Sequence, residues 1–309
     1  MFFNRPSLSS KQTKTPQNIC ILGTSTIAFF IAEHLQSAGH QINILCSPLE
    51  VDEYNSTEFV FKDNHRLKTK RSLFTYCFEQ PVSPDVLLIA SKPQKLRSDL
   101  LLLSSTNLQD TIIINLTPST PENFVSEMLN LSAINAYFFG WLLQNQNHIS
   151  LLSASSFINF TLSPHSEQFQ NIHCIFNETE IETKANVSAA QNFWQWLAPN
   201  AIIFLVSEAA DKNFYYCAQK TEYQMIIENC LNEIISLASL DNACLEKSNL
   251  LKILYSVPES YSSPLRSSMG ASQALLLERT INMLFNRTSF DNKRFPCLKK
   301  LITQIINKL

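Results

Sequence analysis

At 309 residues the chain can bury a full core and make two domains, because single cores stop growing near ~250–300 residues. Its 45% hydrophobic content is that of a globular protein, and 24 basic against 26 acidic residues leave no basic field, so no nucleic-acid partner is expected. No run reaches the ~18 apolar residues of a membrane helix, so no membrane partner is expected either.

The eight cysteines are scattered without C-x-x-C spacing and read as reduced thiols of a cytoplasmic protein. The six histidines are equally dispersed, and no metal is expected. Residues 1–17 are polar and acid-free, lack the apolar stretch of a secretory signal, and read as a disordered tail.

The first element is an apolar strand, Ile19 to Leu22, followed by a turn at Gly23 and a helix from Thr26 to Ser37. A Gly39-His40 stop and a second apolar strand, Ile42 to Cys46, complete a β-α-β unit. Such a unit aims the helix N-terminus at the carboxyl edge of the sheet, where a phosphate is the natural guest. The dinucleotide fingerprint G-x-G-x-x-G/A reads here as Gly23, Thr24, Ser25, Thr26, Ile27 and Ala28. Ser25 replaces the second glycine, so its hydroxyl must either donate to the pyrophosphate or obstruct it.

Residues 48–56 read as a polar connection, and residues 58–69 as a hairpin turning near Asp63. The continuous apolar run 85–90 is a parallel strand covered on both faces, and it delivers Lys92 to the carboxyl edge. A helix over 96–103 leads to a strand over 111–114, whose end brings Asn115 to the crevice faced by Gly23. A short helix follows over 122–131. Residues 149–153 and 157–162 read as the two arms of a hairpin, Phe193 to Leu197 as the end of a helix, and Ile202 to Val206 as a last short strand.

Beyond Asp211 only helical periodicity remains. A long amphipathic helix runs through Tyr223, Ile226, Cys230 and Ile234, with further helices at 245–255, 267–285 and 296–308. The expected organisation is a Rossmann-type α/β domain over 18–207 and an all-α domain over 208–309, with a substrate cleft between them.

In the order and spacing of these features the chain resembles the ketopantoate reductase (2-dehydropantoate 2-reductase) family. The matching features are the Gly23 turn, the hairpin at 58–69, Lys92, Asn115 followed by Glu122, and Ser267-Ser268-Met269 ahead of Glu278 on a helix. The resemblance implies a second domain like the C-terminal domain of 6-phosphogluconate dehydrogenase, and NADPH-dependent reduction of a small 2-keto acid, ketopantoate to pantoate in pantothenate biosynthesis. It places Lys92 and Asn115 near the nicotinamide ribose and substrate, Ser268 on the substrate carboxylate and Glu278 on the substrate hydroxyl.

The family's general-acid lysine sits in a W-x-K-x-x-x-N setting. Here Lys212 and Lys220 are the two candidates, neither with that tryptophan or asparagine. Gly23, Thr24, Ser25, Thr26 and Ser47 complete the expected cofactor contacts. NADP(H) is expected because no acidic residue follows the second strand until Glu50, and a homodimer is the expected assembly. The alternative is a catalytically impaired relative that keeps the fold as a nucleotide-binding or protein-interaction module.

Overall fold

Strands β1 (Asn18–Leu22) and β2 (Gln41–Leu45) pair in parallel, Asn18 opposite Gln41 and Leu22 opposite Leu45, with α1 (Thr26–Ser37) between them in sequence. Their interior side chains are apolar on both faces, as a strand covered by helices or loops on each side requires. The structure, a computed structural model, describes residues 17–63, 68–77, 83–104, 107–117, 123–154, 156–261 and 295–307.

Around this unit grows an eight-stranded sheet in the order β12-β11-β8-β7-β6-β1-β2-β5. Its further members are β5 (Thr75–Cys77), β6 (Val86–Ile89), β7 (Ile112–Asn115), β8 (Ile134–Phe139), β11 (Phe157–Phe160) and β12 (Glu182–Ala185). β6 and β2 flank β1, so the ends of three strands meet at the Gly23 turn. Helices α3 (Leu96–Leu101), α4 (Phe124–Leu129) and α5 (Glu167–Phe176) lie along the intervening chain. A second sheet, in the order β4-β3-β10-β9, is built from β3 (Phe59–Asp63), β4 (Lys68–Ser72), β9 (Leu142–Asn145) and β10 (His148–Leu151). The β3-β4 hairpin stands where expected, with Phe59 opposite Ser72 and Asp63 opposite Lys68.

Three local expectations are corrected. The arms of the expected 149–162 hairpin belong to different sheets: β10 pairs with β3 and β9, whereas β11 pairs with β8 and β12. Alternation identified both as strands but does not name a partner. The hairpin that does form joins β9 to β10, through Gln146 in the left-handed region at φ 53°. The supposed polar connection contains α2 (Pro48–Tyr54), with Pro48 in its first turn and the Glu50 carboxylate accepting from the Ser47 backbone N–H. The Ser-Pro-Leu-Glu start carries the proline and capping signals of a helix.

The third correction concerns the expected strand at 202–206, which lies inside α6 (Ala189–Ala210), a helix of 22 residues. From Trp194 to Ser207 all its residues except Gln195 are buried, so it presents no polar stripe and periodicity could not find it. Its Ile202-Ile203-Phe204-Leu205-Val206 run mimics a buried strand. Pro199 sits in its middle and has no N–H to give the Gln195 carbonyl.

Helix α6 packs with α7 (Phe214–Ala218), α8 (Thr221–Leu240), α9 (Lys247–Tyr255) and α10 (Pro296–Ile306) around one apolar core. The expected break at 207/208 therefore falls in the last turn of a helix that shares its core with those after it. The two halves meet on β8: Ile134, Ala136 and Phe138 enter the core around α1, while Tyr137 and Phe139 pack against the helical core. Among the described residues no helix is long and apolar enough to cross a membrane.

Helix α10 is fastened at its start by Glu233 of α8, whose carboxylate accepts the N–H groups of Cys297 and Leu298, each at 2.8 Å. These are first-turn donors with no intrahelical acceptor. Glu233→Ala is expected to cost about 1–3 kcal/mol in urea denaturation, with Glu233→Gln retaining part of it. An unchanged midpoint in the alanine variant would refute this role.

Candidate functional site

Gly23 is held at φ +102°, and a Cβ placed on it would lie 2.5 Å from Ser91 Cα. Glycine is demanded here both by the turn and by the approach of the chain leaving β6. Ser25 then caps α1: its hydroxyl accepts from the Ala28 N–H at 3.2 Å and donates to the Ala90 carbonyl. The sequence posed Ser25 as either donor or obstruction to a phosphate; the hydroxyl instead stitches the turn to the end of β6. Thr24 donates to Glu50 Oε1 at 2.7 Å, Thr26 to Gln144 Oε1 at 2.7 Å, and the Ser47 hydroxyl to Glu50 Oε2 at 2.9 Å. All four hydroxyls expected at the cofactor thus have protein partners.

Sequence reasoning missed the centre of this network. Glu50 is 6% exposed and also accepts from Lys95 Nζ at 2.6 Å, tying the glycine turn, the end of β2 and the start of α3 together. Burial alone would raise its pKa, but the hydrogen bonds from Lys95, Thr24 and Ser47 and the Lys95 charge outweigh burial and hold it at about 2. A carboxyl with a depressed folded pKa stabilises the fold above its unfolded value near ~4.5 and loses that contribution as pH falls towards 2. The difference in unfolding free energy between wild type and Glu50→Gln is therefore expected to be on the order of 2–3 kcal/mol at pH 7 and to vanish near pH 2. Urea titrations at both pH values measure it, and a pH-independent difference would refute it.

From this turn a cavity of about 1780 Å³ runs past the small sheet to α6 and α9. Ser25, Thr26, Ile27, Ser91, Lys92 and Gln94 line its sheet-edge end. Lys92 is half-buried and is the one cation among the described lining residues, which also include two acids, Glu53 and Glu246. Gln94 Oε1 is buried with no hydrogen-bond partner. At the far end stand Phe139, Trp141, Phe157, Trp196 and Tyr261. Burial pushes the Tyr261 phenol up, keeping it protonated to donate to Asn200 Oδ1 at 3.3 Å.

Of the other expected site residues, Asn115, Lys212 and Lys220 do not line this cavity. Asn115 is 3% exposed, donates to Asn135 Oδ1 at 2.9 Å and accepts from the Thr117 N–H at 3.1 Å; it does not line the cavity. Lys212 and Lys220 are exposed and also absent from the cavity lining, Lys220 lying 5.4 Å from the centre of the Tyr216 ring. Ser268 and Glu278, with Ser267, Met269 and Glu122, lie outside the described residues. Among the described residues no group of three or more His, Cys, Asp or Glu side chains is arranged to hold a metal.

The sheet edge suits a nicotinamide dinucleotide in some respects. Ser25 Oγ takes the Ala28 N–H of α1, leaving the N–H groups of Thr26 and Ile27 at the cavity wall for a pyrophosphate. Lys92 supplies positive charge, and Gln94 an acceptor lacking a donor. The cavity volume accommodates a dinucleotide with a small acid beside it.

No family model and no curated protein matches the sequence. Solved structures do match. A PanE/ApbA family ketopantoate reductase from Ralstonia eutropha is 12% identical over 94% of this chain and 97% of its own, with a TM-score of 0.76. A 2-dehydropantoate 2-reductase from Geobacter metallireducens is 12% identical over 94% and 99%, with a TM-score of 0.78. D-mandelate dehydrogenase, solved with NADH and anilino(oxo)acetate, is 13% identical over 94% and 97%, with a TM-score of 0.75. At these identities the likeness is one of fold: a Rossmann-like domain followed by a helical domain, over nearly the whole length of each.

Proposed function

We propose that the protein is an NAD(P)H-dependent reductase of a 2-keto acid. The observation that carries this reading is the continuity of the cavity, which joins the N-terminus of α1 and Lys92 at the sheet edge to a chamber walled by the helical half. That is where an open α/β sheet binds its ligand, beside a second surface for a substrate. The matched ketopantoate reductases and D-mandelate dehydrogenase support the same chemistry.

When bound, a reduced nicotinamide supplies the hydride to the keto carbon. The chain's own residues orient the acid and stabilise charge on its oxygens. Lys92 is the group for this, since a cation beside a developing alkoxide lowers the barrier. Hydride at the keto carbon and a proton taken from solvent at the oxygen would give a 2-hydroxy acid and the oxidised nucleotide. Ketopantoate, in pantothenate biosynthesis, is the first substrate to try. We propose NADP(H) from the sequence; Glu50, the first acid after β2, is 6% exposed, holds Thr24, Ser47 and Lys95 and does not line the cavity, so it is not placed to select for NAD(H). A homodimer, as in the dimeric ketopantoate reductase from Staphylococcus aureus, is the assembly we propose.

A second reading has its own support. Lys212 and Lys220 stand on the surface, and the hydroxyls of the glycine turn are bonded internally, as in a relative that keeps the fold as a binding module. Oxidation of NADH or NADPH at 340 nm with ketopantoate and other 2-keto acids separates the two readings. Turnover supports the reductase; saturable nucleotide binding without turnover of any of them supports the module.

A further inference from the structure

We infer that the substrate is a monocarboxylate carrying an aromatic or similarly bulky apolar group, held in the ring-lined end of the cavity. Four separate parts of the fold converge there. Phe139 ends β8 and Trp141 follows two residues later, Phe157 comes from β11, Trp196 from α6 and Tyr261 from the chain after α9. Leu152, Leu245, Leu250 and Ile253 fill the wall between them.

The rings are already organised by one another. Phe139 and Phe157 stack with centroids 4.6 Å apart and planes at 7°, and Trp141 meets Tyr261 at 4.5 Å. Lys184 Nζ lies 4.0 Å from the centre of the Phe157 ring, which fixes that ring further. Phe139 and Lys184 reach Phe157 from the strands on either side of β11, so the wall is ordered in advance and offers an incoming ring edge contacts.

Charge sets the other half of the specificity. Among the described lining residues Lys92 is the one cation, beside the acids Glu53 and Glu246, a balance that suits a single carboxylate. One carboxylate can be met by Lys92, and the rest of the molecule must be apolar to gain from the rings. On the α6 wall Asn200 lines the cavity with its side chain fixed, donating to the Trp196 carbonyl and accepting from Tyr261.

The inference rests on the reductase reading for turnover, though not for binding. The test is kcat/KM for benzoylformate and phenylpyruvate against pyruvate and ketopantoate, with NADH and with NADPH, in parallel with tryptophan-quenching titrations of the same acids without nucleotide. The ring-bearing acids are expected to be preferred by roughly 10- to 100-fold, the gain from burying one phenyl group. Phe157→Ala should reduce that preference several-fold, and Phe157→Leu, which keeps apolar volume, should reduce it less.

If ring-bearing acids quench tryptophan saturably and pyruvate does not, yet nothing is turned over, the chamber stands and the reductase reading fails. If pyruvate or ketopantoate is turned over as well as the ring-bearing acids, the reductase reading stands and this inference is overturned. Absence of both binding and turnover overturns both.

Discussion

Gly23→Ala is expected to lower unfolding free energy by about 3 kcal/mol and to abolish nucleotide binding, whereas Gly39→Ala is expected to cost only about 1 kcal/mol and leave binding intact. Both glycines have positive φ, +102° and +88°. They differ in their surroundings. A Cβ at Gly23 would lie 2.5 Å from Ser91 Cα and 2.9 Å from Ser91 N, backbone atoms that can yield only by moving the end of β6, whereas a Cβ at Gly39 meets nothing within 4 Å. The neighbour of Ser91 is Lys92, so the shift that relieves the clash also displaces the cavity's cation. Urea denaturation and a nucleotide titration of the two variants measure both effects. Equal costs at the two glycines would show that the left-handed conformation, and not the approach of Ser91, is what the turn requires.

The lysines supply the second large effect. Lys92→Ala is expected to lower kcat/KM for a 2-keto acid by ~100- to 1000-fold, the range for removing one charge-stabilising group from an active site. Lys212→Ala and Lys220→Ala should each stay within about twofold of wild type. The basis is position: Lys92 lines the cavity, while the other two are exposed and outside its lining. A variant of Lys212 or Lys220 that loses turnover while still binding nucleotide would restore the role first read from the sequence and remove Lys92 from it.

The parts of the fold that were legible follow from where the sequence carries a one-dimensional signal. The β-α-β unit could be read because β1, α1 and β2 are apolar segments punctuated by Gly23 and Gly39. Helix α8 was legible because Ile227, Cys230, Leu231 and Ile234 bury one stripe and leave the other face polar. Helix α6 was not, because burial on all sides erases the stripe, and its Pro199 and β-branched run point away from a helix. β8 was missed for a related reason: it serves two cores, so its outward residues Tyr137 and Phe139 are as apolar as its inward ones.

The site divides in the same way. Gly23 and Lys92 were found because a glycine turn and a strand end have fixed addresses on an α/β sheet. Glu50 carried a signal, the Ser47-to-Glu50 capping spacing, that would have revealed the helix and placed the carboxylate at the end of β2. The ring-lined chamber had none, since Trp141, Phe157, Trp196 and Tyr261 are far apart in the chain and meet only in the folded protein.

The central claim is that the sheet edge at Gly23 and Lys92 binds a nicotinamide dinucleotide. Its most direct test is equilibrium titration of the protein with NADH and with NADPH, followed by energy transfer from tryptophan to the reduced nicotinamide; Trp141 and Trp196 stand in the wall of the same cavity. Saturable transfer with at least one nucleotide, lost in Gly23→Ala and retained in Gly39→Ala, is the predicted result. Absence of saturable transfer with either nucleotide up to millimolar concentration, confirmed by calorimetry, would contradict the account and leave the fold without its cofactor.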